Sequence, residues 1–151
     1  MKYWLMKSEP NTYSIDDLLK DKTTQWEGIR NYQARNFMKD EMSIGDKVLF
    51  YHSNAKPPGV AGLAEVSRLA YPDHFAWNPD SDYFDPKSTP DKPIWMMVDV
   101  KFIRKFNTFI SLDLIKQDPH LQDMMVIKRG ARLSIQPISQ ENYNYISQLG
   151  N

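Results

Sequence analysis

Apolar positions recur along this chain with two periods, and the switches between them divide it into elements. Residues 2–6 (Lys-Tyr-Trp-Leu-Met) read as a short strand closed by Ser8-Glu9-Pro10. Ser14 then opens a helix: it is an N-cap residue, Asp17 stands three places on, and Tyr13 and Leu18 can staple the entry. Ile15, Leu18 and Leu19 form its apolar face. Asn31 caps a second helix through about Lys39, with Ala34, Phe37 and Met38 on one side. A turn at Ser43-Ile44-Gly45-Asp46 leads into a strand from Lys47 to Ser53, with Val48 and Phe50 facing one way and Leu49 and Tyr51 the other. Pro57-Pro58-Gly59 interrupts it, and extended structure resumes from Val60 to Ala70. Gly62 inside that run predicts a bulge or a close backbone approach.

Residues 71–93 are irregular and hold five of the ten prolines and five Asp. So long a stretch without periodicity is expected to be functional or mobile. Tyr71, Phe75, Trp77, Tyr83 and Phe84 give it apolar surface to dock with, so an ordered flap is expected rather than a linker. Strand alternation is clearest over 94–106, where Ile94, Met96, Val98, Val100, Phe102 and Phe106 alternate with mostly polar neighbours. Residues 111–125 predict short helical pieces broken at Pro119. Leu133 to Gln136 is a last short strand, and Ser139 to Leu149 a closing helix stopped at Gly150. Strands at both ends and in the middle, with helices between, argue a mixed sheet or small barrel, in which the strands either side of Pro57-Pro58-Gly59 are antiparallel neighbours.

The length, 151 residues, suits one domain with its own core. With no cysteine, disulfides, thiolate metal sites and a cysteine nucleophile are excluded. Lys plus Arg and Asp plus Glu are 19 each, and the two halves balance as well, which excludes a basic-arm type of polyanion binder. No apolar run approaches the roughly 18–20 residues of a membrane span. The first residues do not read as a signal peptide. A soluble, cytoplasmic domain is expected, with no membrane partner. Phosphate-loop, dinucleotide and metalloprotease motifs are absent, and His52, His74 and His120 lack ligand spacing, so no metal, no cofactor and no catalytic group is assigned.

The aromatic content, 13%, does change the picture, because the aromatics stand among fork-shaped donors and amides. Trp4 precedes Lys7-Ser8-Glu9-Pro10. Trp26 begins a run through Arg30, Asn31 and Tyr32 to Arg35. Phe50 and Tyr51 precede His52-Ser53-Asn54. Such neighbours suit a planar heteroaromatic ligand, stacked on rings and read at its edge. Each residue also has a plain structural reading. Trp26 can be core, Asn31 a helix cap, Arg35 a surface partner of Glu27 or Asp40, His52 a hydrogen-bonded strand residue, Ser8 a turn residue, and Lys128, Arg129 and Arg132 a solvated face.

Longer motifs then carry a resemblance. Tyr-Trp-Leu-Met-Lys-Ser-Glu-Pro (3–10), Arg-Asn-Tyr-Gln-Ala-Arg-Asn-Phe-Met (30–38), Gly-Asp-Lys-Val-Leu-Phe-Tyr-His-Ser (45–53), Gly59–Val66, Tyr-Pro-Asp (71–73), Asp-Tyr-Phe-Asp-Pro-Lys-Ser (82–88) and Arg-Leu-Ser-Ile-Gln-Pro (132–137) follow in one order. In these the chain closely resembles the EVE domain, of the PUA-like superfamily that also includes YTH and ASCH domains, over residues 2 to about 149. The resemblance implies an α+β fold, a PUA-like small, mostly antiparallel β-barrel with surrounding helices, as one domain over 1–151. It implies a pocket for a modified nucleobase, a modified cytosine in DNA or a modified base in RNA. By position, Lys7, Ser8, Glu9, Trp26, Arg30, Asn31, Tyr32, Arg35, Tyr51, His52 and Ser53 would line or flank that pocket, with Leu133 and Ser134 closing it. Trp26 is expected as an aromatic wall and Trp4 in the core. The expected partner is nucleic acid containing a modified base, bound by a monomer without catalysis. The alternative is a small ASCH-like amidohydrolase of modified nucleosides, with Lys7, Ser8 and Glu9 as its working groups.

Overall fold

The computed structural model covers residues 1–151. Its first strand, β1 (Tyr3–Ser8), alternates as the sequence demands: Trp4 and Met6 enter one buried cluster, and Leu5 enters another on the opposite face of the sheet. The strand β3 (Lys47–His52) repeats this, with Val48 and Phe50 on the first side and Leu49 and Tyr51 on the second. Both faces of the sheet are therefore covered. β1 and β3 pair in parallel, from Tyr3 opposite Lys47 to Ser8 opposite His52. A parallel pair needs a crossover connection, and three elements supply it. They are α1 (Ile15–Asp21), the short strand β2 (Thr23–Gln25), and α2 (Tyr32–Asn36), which runs on into one π-helical turn over Phe37–Glu41.

The ends of these helices are set locally. The Ser14 side chain accepts from the Asp17 amide, and the Asp17 carboxylate accepts from the Ser14 amide, a complete capping box at α1. The Asn31 Oδ1 accepts from the Ala34 amide at the start of α2. The Ser43–Asp46 turn is fixed by Asp46, whose buried carboxylate accepts from the Lys2 and Ser43 amides and from the Trp4 indole at 3.0 Å. Trp4 is fully buried, as expected, and this bond satisfies its one polar atom.

Two long strands, β4 (Gly59–Pro72) and β5 (Met96–Ser111), complete the centre of the sheet, antiparallel to each other, with β4 also antiparallel to β3. Their register slips at four places, and each slip bends and twists the ribbon. Gly62 stands at one of them. A Cβ there would lie 2.4 Å from the Arg104 carbonyl oxygen and 2.8 Å from the Ile15 side chain, so both the expected bulge and the expected close approach are present. After β5 come α3 (Leu112–Gln117), two 3-10 turns at Pro119–Leu121 and Met125–Ile127, the strand β6 (Ile135–Ile138) and α4 (Gln140–Leu149).

The last strand begins two residues later than its apolar pattern suggests and includes Pro137, which an edge strand tolerates. The order across the sheet is β2-β5-β4-β3-β1-β6. The architecture is mixed α+β, and the expected barrel closure is not what forms: β2 and β6 stand at opposite ends of the hydrogen-bonded ladder. Each is only three or four residues long and already pairs along its length with one neighbour, β5 or β1.

Residues 73–95 fold as an ordered flap. A 3-10 turn over His74–Trp77 starts it, the Asp85 carboxylate accepts from the Trp95 indole at 2.7 Å, and the Ser88 hydroxyl accepts from the Ile94 amide. Of the aromatics expected to dock it, Phe84 instead stands exposed, and Tyr71 belongs to β4, where its hydroxyl donates to Asp99 and the Arg68 guanidinium lies 3.6 Å over its ring. No helix is long and apolar enough to cross a membrane.

Candidate functional site

Where the C-terminal end of β1 meets the β2–α2 connection, the backbone leaves an open cavity of about 400 Å³. One wall is Trp26, anchored by its amide to the Val98 carbonyl and set edge-on to Phe50 with centroids 5.5 Å apart. It is 6% exposed, so it is at once core and pocket wall. The facing element is the flap, which contributes Tyr83. The rim consists of Lys7, Ser8 and Glu9 from β1 and its exit, Thr12 and Tyr13 before α1, Thr24 and Gln25 of β2, and Glu27 through Asn31, with Ser134 ahead of β6.

The flap is held against this rim by one ion pair and a set of backbone contacts. Asp73 is 0% exposed. Its Oδ2 accepts from the Gly28 amide at 2.9 Å and from the Arg30 Nη1 at 3.0 Å, and its Oδ1 accepts from the Phe75 amide at 3.0 Å. Arg30 also donates through Nε and Nη2 to the Tyr83 carbonyl, at 3.1 and 2.7 Å, and through Nη1 to the Ile29 carbonyl. Its guanidinium lies 5.7 Å from the Tyr83 ring centre and 5.5 Å from that of Trp95. Gly28 has a φ of +85°, and a Cβ on it would lie 2.6 Å from the Tyr83 ring. Only glycine meets both conditions.

Seven residues named from the sequence come together at the cavity: Lys7, Ser8, Glu9, Trp26, Arg30, Asn31 and Ser134. Most are also engaged in the fold. The Ser8 hydroxyl donates to the Tyr13 carbonyl at 2.6 Å, Glu9 accepts from the Asn54 side chain, and Asn31 spends its oxygen on the helix cap. Lys7 reaches the Ala131 carbonyl at 3.4 Å, and burial lowers its pKa. The Ser8 hydroxyl thus faces a carbonyl rather than Lys7 or Glu9, which is not the pairing an activated nucleophile needs.

The other six lie outside the cavity wall. Tyr51 follows Phe50 on a strand, so it must face the opposite side of the sheet, where it is 3% exposed among apolar residues. His52 Nε2 accepts from the Ile15 amide at the start of α1, a structural role, and burial lowers its pKa. The Ser53 amide donates to the Ser8 carbonyl, continuing the β1–β3 pairing. Leu133 packs on the core. Tyr32 is 59% exposed and lies against Trp95, centroids 4.9 Å apart. Arg35 covers the Tyr32 ring and donates to the Ile94 carbonyl and Asn36, not to Glu27 or Asp40.

Pattern reading missed Tyr83, Glu27 and Gln25 as lining residues, because the flap and the edge strand are brought here by tertiary contacts. Glu27 did stand in the aromatic-polar run after Trp26, which was the available signal. Lys128, Arg129 and Arg132 are exposed, form no ion pair, and surround with Lys116 a shallow depression that includes Ala131, the residue Lys7 reaches. No group of acidic, His or Cys side chains is arranged to hold a metal ion.

Comparison with known proteins agrees with this geometry. A family model described as the EVE domain matches residues 2–149. Thymocyte nuclear protein 1 from Homo sapiens is 42% identical over 166 residues, which cover 97% of this chain and 73% of that protein. The structure of a hypothetical protein from Leishmania major superposes with a TM-score of 0.94 at 54% identity, covering 99% of this chain and 94% of that one. The crystal structure of human THYN1 in complex with 5-methylcytosine-containing DNA superposes with a TM-score of 0.91 at 40% identity, covering 100% of this chain and 98% of that one. With the motifs in one order, the fold superposed end to end and the family model spanning nearly every residue, this chain belongs to the EVE domain family.

Proposed function

We propose that this chain is a nucleic-acid-binding module that reads a modified nucleobase, with a modified cytosine in DNA as the first candidate and a modified base in RNA as the second. One observation carries the reading: the Trp26–Tyr83 cavity opens on a chain that superposes on a relative crystallised with 5-methylcytosine-containing DNA. A base extruded from its strand stacks on Trp26, a contact worth about 1–3 kcal/mol. Lys7, Ser8, Glu9, Asn31 and Ser134 stand around the base, and Arg30 acts by holding Tyr83 in place. A zero net charge suits the capture of one base better than the gripping of a long duplex.

The module binds and does no chemistry. The groups that would carry an acyl transfer are turned to structural partners, Ser8 to the Tyr13 carbonyl and Glu9 to Asn54. The test is fluorescence polarisation with single-stranded oligonucleotides that differ only in one 5-methylcytosine against cytosine, followed by chromatographic recovery of the oligonucleotide. The expected result is a preference of about 1–3 kcal/mol for the methylated base, the scale of one added methyl, with the ligand recovered intact. Equal affinity for the two oligonucleotides, or turnover of the modified base, would overturn it.

A further inference from the structure

Most of the strong hydrogen-bonding groups around the cavity are already spent on the protein. Ser8 donates to the Tyr13 carbonyl, the Tyr13 hydroxyl to Asp21, and Arg30 to Tyr83, Ile29 and Asp73. The second carboxylate on the rim, Glu9, is exposed and accepts from Asn54. Among the charged side chains there, Glu27 is the exception. It follows the Trp26 wall directly, it is half-buried, and no donor from another residue meets its carboxylate. Burial, and then the Asp73 carboxylate, hold its pKa above the ordinary range. A half-buried carboxylate whose one donor is its own backbone amide is costly to the fold. Glu27 lines the cavity, so a ligand bound there can supply the donor that the protein does not.

We infer that Glu27 is the specificity-determining residue of the pocket, accepting a hydrogen bond from the exocyclic amine of the bound base and so selecting cytosine-type bases over thymine-type ones. This rests on the modified-base reading above. A carboxylate is a partner for the cytosine N4 amine in direct readout. The unspent donors nearby, the Asn31 side-chain amide and the Ser134 hydroxyl, complement the acceptors on the rest of a cytosine edge. Thymine presents a carbonyl oxygen where cytosine has the amine, so two acceptors would face each other. A site built around a ligand N–H rejects the analogue that lacks it far more strongly than a pocket rejects a missing methyl.

5-Methylcytosine and thymine share the 5-methyl group and differ at the amine edge, so they isolate this residue. The experiment measures binding of single-stranded oligonucleotides carrying 5-methylcytosine, thymine or cytosine at one position, to the wild-type chain, Glu27→Gln and Glu27→Ala. Wild type is expected to prefer 5-methylcytosine to thymine by at least about 100-fold. Glu27→Gln, whose amide can turn its nitrogen toward a carbonyl, is expected to lose most of that preference by binding thymine better. Glu27→Ala is expected to weaken 5-methylcytosine binding without gaining thymine. The Gln variant should melt at the same temperature as wild type or higher, since a desolvated carboxylate is removed. If wild type favours 5-methylcytosine over cytosine and Glu27→Gln keeps the full preference over thymine, the Glu27 assignment is overturned and the modified-base reading stands. If wild type does not distinguish 5-methylcytosine from cytosine, that reading falls, and the Glu27 assignment falls with it.

Discussion

Replacing Asp73 by Ala tests how the cavity is built. The carboxylate is fully buried and accepts from three donors, the Gly28 and Phe75 amides and the Arg30 guanidinium, at 2.9 to 3.0 Å. Alanine leaves two backbone N–H groups without a partner, at about 1–3 kcal/mol each. It also strips Arg30 of its counter-ion. Removing one partner of a buried pair costs about 3–5 kcal/mol, but the Arg30 side chain is 23% exposed and keeps its bonds to the Tyr83 and Ile29 carbonyls, so that part falls below the range. The two amides come to about 2–6 kcal/mol and Arg30 adds to them, so the loss expected is at least about 3 kcal/mol, or a melting midpoint lower by at least roughly 6 °C at ~2–4 °C per kcal/mol for a chain of this size. Urea and thermal unfolding followed by Trp fluorescence measure it. Asp73→Asn keeps the shape but turns an amide N–H₂ toward a donor, so an intermediate loss is expected. A loss below about 1 kcal/mol for Asp73→Ala would show that the flap is held by other contacts, and the account of Arg30 as its strut would be wrong.

Three other outcomes follow from the same geometry. Trp4→Ala should cost about 3–5 kcal/mol of stability and leave ligand binding unchanged in the folded fraction; Trp26→Leu, which keeps apolar bulk without a π face, should lose more than about 1 kcal/mol of oligonucleotide affinity, and the reverse pattern in unfolding and binding titrations would exchange their roles. His52 is held neutral as the acceptor for the Ile15 amide, with a pKa lowered by burial; the unfolded chain therefore takes up its proton first, and the stability His52 contributes is whole above about pH 6.5 and lost as pH falls through the lower folded value. Denaturant unfolding between pH 7.5 and 5 should show a steeper decline for wild type than for His52→Gln, and parallel curves would count against it. Single-strand affinity should fall with salt at a log–log slope of about −1.4 to −2.8, from roughly two to four phosphates, and Arg129→Gln with Arg132→Gln should flatten it by about 1.4 without changing the preference for the modified base; an unchanged slope would return those arginines to the solvated face.

Much of this fold was legible because its signals are local. Ser14 and Asp17 carry a capping box within four residues, and Val48 through Tyr51 alternate between two buried faces in step with the strand. Gly62 marked its own bulge. What stayed hidden is settled across long separations. β2 has only three residues, and its identity as a strand comes from pairing with Lys101, Val100 and Asp99. Arg30 reads as a fork-shaped donor open to a ligand until the Tyr83 carbonyl, 53 residues later, takes two of its donors. Tyr51 and His52 sat in the right motif, but strand parity turned one to the far side, and the start of α1 claimed the other.

The order of strands in the sheet bears on when the cavity is completed. β1 comes from the first residues of the chain, yet it lies between β3 and β6, and β6 ends at Ile138. During synthesis, which proceeds from the N-terminus at ~5–20 residues per second, β1 gains its parallel partner once residue 52 has emerged, but its other edge stays open until residue 138 has followed. Ser134, just before β6, bonds through its carbonyl to the Lys7 amide and closes the cavity rim. Pairings at such long sequence separation form slowly. Early in translation the chain is thus a set of paired strands with β1 uncovered on one side, and the cavity is completed only with the last strand.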